Sequence, residues 1–370
     1  MLTVKVSDFG PIAAGEVRLR PLTVFVGPNN AGKSYLSMLV YALFGSSFQG
    51  PPAFDYRNIR RRYRRAGVVV RRVGMGIPVD RDEDGEEGEA QRMLESFATW
   101  VDDRQKSPDG RIHCVLGDLP DAVRDVFVGA VEGANRDFMT AAGRQLQRCF
   151  GTDMAELTRR RPRTGGLEIS LAQEEPPWTL TLSGERSGLR TANSRFDLSN
   201  QPLQIEPLPS SPSRRRRALR SGDAAESMDE LMNEVINGFY EGLSKPAFYL
   251  PAARSGILQS HKALASFLVR RSPLVGLEPW TDIPRLSGVV ADFISNLLTL
   301  ERDLRTDIYP LTKFLEKDII HGDVTLESES EGSEYPEIYY TSAAGKFPLH
   351  RTSSMVSELA PVILFLRYVV

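Results

Sequence analysis

Only two cysteines, Cys114 and Cys149, occur in the 370 residues. That excludes a disulfide-stapled scaffold and a cysteine-built metal centre, and it fits a reducing compartment. No apolar run approaches the roughly 18 residues that a membrane helix needs, and the first residues alternate like a strand instead of forming a charged-then-apolar leader. A cytoplasmic protein with no membrane segment is expected. A charge excess is missing too: 46 basic residues face 48 acidic ones, so nothing draws the chain as a whole toward nucleic acid. Lysine is scarce, with 8 Lys against 38 Arg, so a local arginine run carries less meaning than it would elsewhere. The 41% apolar content is enough for one large core or two smaller ones.

What is present is a phosphate-binding pattern. Gly27, Gly32, Lys33 and Ser34 meet G-x-x-x-x-G-K-[ST], with Pro28, Asn29, Asn30 and Ala31 between the glycines. The glycines permit backbone angles and close approaches that turn successive N–H groups toward a β-phosphate. Lys33 suits the β and γ oxygens, Ser34 a magnesium ion, and Tyr35 opens the helix whose positive end faces the anion. The context agrees: Leu22–Val26 reads as a buried strand, and Leu36, Leu39, Val40, Leu43 and Phe44 carry helical spacing from about Gly32 to Phe44. The expected ligands are ATP and Mg²⁺.

Elsewhere, alternation predicts strands over Leu2–Asp8 and Glu16–Arg20, a hairpin joining Gly166–Ala172 to Trp178–Ser183, and strands at Asp323–Ser328 and Glu337–Thr341. Helical spacing marks Ala90–Trp100, Asp121–Phe150, Met228–Leu243, Ser260–Arg271, Leu286–Leu304 and Met355–Val370. Ala247–Gly256 reads as a short buried strand, and Ser187–Asp223, with its Ser-Pro repeats and Arg214–Arg217, as a mobile loop. Six arginines between Arg57 and Arg65 surround Tyr56 and Tyr63, a pattern that suits DNA contact or simply a solvated basic loop.

Ser7-Asp8-Phe9-Gly10-Pro11-Ile12, followed by Pro21-Leu22-Thr23-Val24-Phe25-Val26-Gly27-Pro28-Asn29-Asn30-Ala31-Gly32-Lys33-Ser34, resembles the opening of AAA family ABC-type ATPases, the group of OLD-like, RecF and SMC head domains. The resemblance implies an α/β fold: a P-loop NTPase of ABC-ATPase head type, with an antiparallel β subdomain and a helical lobe. It divides the chain into a nucleotide lobe at 1–50, an insertion at 51–245 and a helical lobe at 246–370. Tyr249-Leu250-Pro251-Ala252-Ala253-Arg254-Ser255 is similar to the family's stretch near the Q-loop, which implies that Arg254 or Gln259 senses the γ-phosphate. From the residues alone, Arg254 could equally cap a helix or pair with an acid.

Ser353 and Ser354, ahead of an apolar helix, resemble the family's signature, the element that grips the γ-phosphate held by a second head; Met355 stands where many relatives have Gly. The implied partner is a second copy or a homologous ATPase acting in trans, with an effector nuclease or toxin as a further associate and DNA repair or phage defence as the setting. An apolar strand ending in Asp-Glu, which would complete the magnesium shell and activate water, does not occur within the 370 residues. Val289–Asp292 is helical in pattern, Val115–Asp118 is broken by Gly, and Ile319–Asp323 reads as a turn. The catalytic base is therefore unassigned, and the fold is expected to be incomplete at its C-terminal side. A head that is truncated, encoded as a split gene or completed by another chain, a non-hydrolysing nucleotide-binding scaffold subunit and, less favoured, a nucleotide-kinase type of phosphotransferase are the readings that remain.

Overall fold

The computed structural model describes residues 1–45, 96–97, 99–101, 103–104, 107–108, 111–159, 166–174, 177–185, 188–197, 199–200, 202–205, 247–258, 286–298, 300, 308–327 and 337–368. It is mixed α/β with antiparallel sheets, and its described residues fall into two compact units. The first contains the described residues through Gln147 and from Thr152 to Ala247; the second contains Arg148–Gly151 and everything from Phe248 onward. The expected helices at Met228–Leu243 and Ser260–Arg271 and the arginine run Arg57–Arg65 lie outside the described residues.

The first unit is built on a five-stranded antiparallel sheet. Its strands are β1 (Leu2–Phe9), β2 (Ile12–Arg18), β4 (Glu168–Gln173), β5 (Trp178–Glu185) and β6 (Gly188–Phe196), in the order β2-β1-β4-β5-β6. A separate pair joins β3 (Ile112–Val115) to β7 (Pro202–Ile205). Alternation makes one face of the large sheet apolar, because Val4 lies opposite Leu171 and Leu171 opposite Leu180, while Val6, Ile169 and Leu182 form the next row. All six are buried. The longest described helices of this unit are α1 (Lys33–Phe44) and α2 (Asp121–Phe150), the latter burying Val123, Phe127, Val131 and Phe138 at helical spacing. Phe44 stacks on Phe138 at 6.4 Å. Asn135 of α2 accepts from the buried Trp178 indole (3.3 Å) and donates to Ser194 Oγ (3.0 Å), so the helix is tied to β5 and β6 by a satisfied polar contact.

Three expectations are corrected here. Leu22–Val26 forms no strand and is not buried: Leu22, Val24 and Val26 are 74%, 70% and 87% exposed, and no described strand pairs with them. Apolar β-branched residues favour extension, but a strand exists only where a neighbour closes its ladder. Ser187–Asp223 is not all loop, because β6 and β7 occupy Gly188–Phe196 and Pro202–Ile205. The β6 edge carries exposed Arg190, Thr191, Asn193 and Arg195, the polar outline of a sheet edge. Finally, Ala247–Gly256 is not a buried strand. Only Ala247 makes a bridge, to Gly45, residues 248–250 are half-buried without regular structure, and a short helix occupies 254–258.

In the second unit, α3 (Gly288–Leu298), α4 (Tyr309–Phe314) and α5 (Ser354–Tyr368) accompany a three-stranded sheet of order β10-β9-β8, with β8 at Asp323–Glu327, β9 at Glu337–Ser342 and β10 at Gly345–Pro348. The core joins Phe293, Ile320, Val324, Ile363, Leu364 and Phe365, with Phe293 stacked on Phe365 at 5.7 Å. α4 widens into a π-helical turn over Leu315–Ile319, closed by the bond from Ile320 N to Leu315 O. That turn carries Glu316, which is buried and accepts from Val324 N at 2.8 Å. Arg367 Nη2 pairs with Glu316 Oε1 at 2.5 Å, and Lys313 Nζ with Oε2 at 2.8 Å. Burial works against the Arg367 charge, but Glu316 holds the guanidinium firmly protonated, and hydrogen bonding to the same carboxylate raises the Lys313 ammonium above its usual range.

Candidate functional site

Pro21 to Ala31 runs along the surface into α1, and three residues of the glycine-bounded loop adopt left-handed backbone angles: Gly27 at φ 154°, Asn30 at 63° and Gly32 at 81°. Asn tolerates that region better than most residues. Gly32 has a second reason for its identity, since a Cβ there would stand 2.7 Å from Ile12 Cγ1 at the start of β2. The turn between β1 and β2 abuts the same end of α1. A Cβ on Gly10 (φ 49°) would meet the Tyr35 ring at 2.5 Å, and Tyr35 meets Phe9 edge-on at 5.7 Å. The sheet therefore sets where the loop's exit lies. The loop itself, Gly27–Ala31, is exposed.

Lys33 is half-buried and curls back over the loop, its Nζ donating to Pro28 O at 2.6 Å. Ser34 is exposed. Gly32 is the N-cap of α1 and no side chain caps that end; no acid stands in the first turn. One ammonium and an uncapped helix N-terminus thus converge where left-handed residues bend the chain. The chemistry available is the binding of a phosphorylated anion by backbone N–H groups, a helix dipole and one point charge. Among the described residues, no group of three or more His, Cys, Asp or Glu could hold a metal ion. The Ser34 hydroxyl is the metal-directed donor of the loop itself.

In the second unit, Arg254 is closely engaged. Its Nε donates to Glu358 O (2.9 Å), Nη1 to Pro251 O (2.8 Å), and Nη2 pairs with Glu358 Oε2 at 3.4 Å. The Ser255 hydroxyl adds a 2.6 Å bond to Glu358 Oε1. Both Arg254 and Glu358 are largely screened from solvent. Three hydrogen bonds and an ion pair, counting the weaker Ser255 N donation at 3.3 Å, therefore fasten the 251–255 segment to α5, and the Pro251 O bond braces the segment itself. Glu358 had no signal in the sequence, because its partners lie more than a hundred positions away. Gln259 is outside the described residues. Ser353 caps α5, its Oγ accepting from Val356 N at 3.3 Å, while Ser354 and Met355 stand exposed beside it.

Of the rejected acid candidates, Asp292 lies within α3 and bonds Arg148 through two oxygens, one at 3.0 Å. Cys149, next to that arginine, has its thiol pushed up to about 12 by burial, with Arg148 opposing and Asp292 adding to the shift. No described helix is long and apolar enough to cross a membrane. No protein-family model, curated protein or solved structure matches the chain.

Proposed function

We propose that this chain is the ATP-binding component of an ABC-type AAA family ATPase, with P-loop NTPase architecture, that takes Mg²⁺–ATP at Gly27–Ser34. The observation that carries the reading is the loop: left-handed backbone at Gly27, Asn30 and Gly32, with Lys33 donating, among the described residues, to a neutral carbonyl ahead of an uncapped helix. Lys33 would trade Pro28 O for the β and γ oxygens, a charge-assisted exchange, and Ser34 would offer its hydroxyl to the metal. ATP bound there supplies a γ-phosphate that a second head, self-paired or homologous, would grip through Ser353 and Ser354. DNA repair or phage defence, with an effector nuclease or toxin attached, is the setting that the resemblance implies.

Calorimetry separates the proposal from an unliganded turn. Lys33→Ala removes a charged contact of about 1.5 to 3 kcal/mol, so ATP should bind roughly 10 to 150 times more weakly; equal affinity in both proteins sinks the assignment. Light scattering with ATP and with ADP then tests the second head. Association should require ATP and be lost in Ser353→Arg.

A further inference from the structure

α5 runs from Ser354 to Tyr368 with a buried proline, Pro361, inside it. Proline has no N–H, so the helical bond that would close on Ser357 O cannot form, and the ring crowds that carbonyl. The backbone coupling between the two halves of α5 is therefore weakest at this point. Each half has its own anchor. Beyond the proline, Arg367 Nη1 donates to Val324 O at 2.9 Å and its Nη2 pairs with Glu316. Before the proline, the anchor is Glu358. Its Oε1 accepts from the Ser255 hydroxyl at 2.6 Å and from Ser255 N at 3.3 Å, Oε2 faces Arg254 Nη2 at 3.4 Å, and its carbonyl accepts from Arg254 Nε at 2.9 Å. Oε2 is buried and makes no hydrogen bond, so it rests on the Arg254 charge.

Val356 and Ala360 seat the N-terminal half of α5 in the core, but apolar burial is non-directional. Four directed contacts on one residue fix the depth and the rotation of that half as well. Ser354 stands one turn before Glu358 on the same side of the helix, and Ser353 caps it. We propose that Glu358 is a positioning residue: through Arg254 and Ser255 it sets the N-terminal half of α5 independently of the half beyond Pro361, and so aims the Ser353–Ser354 turn. That the turn is aimed at a γ-phosphate held by a second head rests on the nucleotide reading above. The latch itself involves only residues of the second unit. A carboxylate that merely stabilised the fold would act on both sides of the proline, whereas a positioning one acts on one side.

Hydrogen exchange in residues 1–370 provides the test. Glu358→Ala should speed exchange at amides 357–360 at least tenfold while amides 363–366 stay within twofold of the parent. Pro361→Ala restores the missing helical donor and joins the halves, so the double variant should return amides 357–360 to within threefold of the parent. Glu358→Gln keeps the shape and an acceptor for Ser255; it should show the same one-sided pattern, at least threefold, and it keeps the test open if the alanine variant fails to fold. Equal acceleration on both sides of Pro361, no acceleration in either Glu358 variant, or no rescue by Pro361→Ala each overturn the proposal. Light scattering with ATP on the same samples reads the aim. Glu358→Ala should weaken association at least tenfold with ATP affinity within threefold by calorimetry, and Pro361→Ala should recover it; undiminished association with amides 357–360 loosened overturns the aiming role. A parent chain that binds no ATP, or binds it without associating, removes the nucleotide or second-head reading alone, because the exchange pattern still decides the latch.

Discussion

Lys33 and Arg254 are the two cations that the sequence nominates for a phosphate, and they stand in opposite electrostatic conditions. Lys33 holds one neutral carbonyl of its own loop. Arg254 holds a carboxylate and two carbonyls, and its neighbour Ser255 holds the same carboxylate. Moving Lys33 onto an anion gives up one neutral hydrogen bond, whereas moving Arg254 strips Glu358 of its charge partner in a screened place. A cation's readiness to bind is thus set by what it already touches, and by that measure Lys33 is poised while Arg254 is committed. The second unit extends the pattern through Arg367, matched to Glu316, and Arg148, matched to Asp292.

The largest expected effect tests the committed end of this contrast. Glu316→Gln leaves the Arg367 guanidinium buried without its counter-charge and should cost about 3 to 5 kcal/mol, read as a lower urea midpoint; replacing both residues with Leu should restore much of the loss. A near-neutral single variant would mean that Arg367 reaches solvent and that the contrast is overdrawn. Next in size is Arg254→Ala, expected to lower stability by about 1 to 3 kcal/mol through the stranded Glu358 contacts while leaving ATP affinity within threefold. Loss of ATP binding with unchanged stability would instead place Arg254 at the nucleotide.

Cys149 supplies a finer probe. Its thiol stays protonated to about 12 although Arg148 is adjacent, chiefly because it is buried, with Asp292 adding to the shift. Since the folded value is raised, the associated stability is present below the ordinary thiol value of 9.0 and fades as pH climbs from there toward 12. A thiol reagent at pH 8 should therefore modify Cys114 first and Cys149 only on unfolding. Asp292→Asn should bring the Cys149 ionisation down by freeing the arginine. The smallest effect belongs to the poised cation. Lys33→Ala should change stability by no more than about 0.5 kcal/mol while weakening ATP, so a large stability loss would show a structural role for that side chain.

What could be read from the sequence was whatever depends on local period. β1, β4 and β5 alternate because one face is buried, α2 repeats its apolar residues at helical spacing, and α1 begins where the glycine-bounded loop ends. What escaped depends on a partner distant along the chain. Leu22–Val26 has strand composition but no neighbour among the described residues to close its ladder, and β6 is a strand despite polar residues because β5 pairs with it. Glu358 carries no local mark of its tie to Arg254. Within the candidate site, two of the loop's three left-handed positions were readable from its glycines and the third, Asn30, was not, and the contact that excludes a side chain at Gly32 comes from Ile12, twenty positions earlier.

That contact bears on how the motif would drift among related sequences. Gly32 is held by the packing of β2 whether or not a phosphate ever arrives, so a descendant that lost its ligand would still keep this glycine or exchange it together with Ile12 for a smaller residue. Lys33 has no such tenure, because the bond its ammonium makes among the described residues is to a neighbouring carbonyl, Pro28 O. Retention of the lysine beside a freely varying position 12, and not retention of the glycine, is therefore the historical record by which a working loop would be told from an inherited shape.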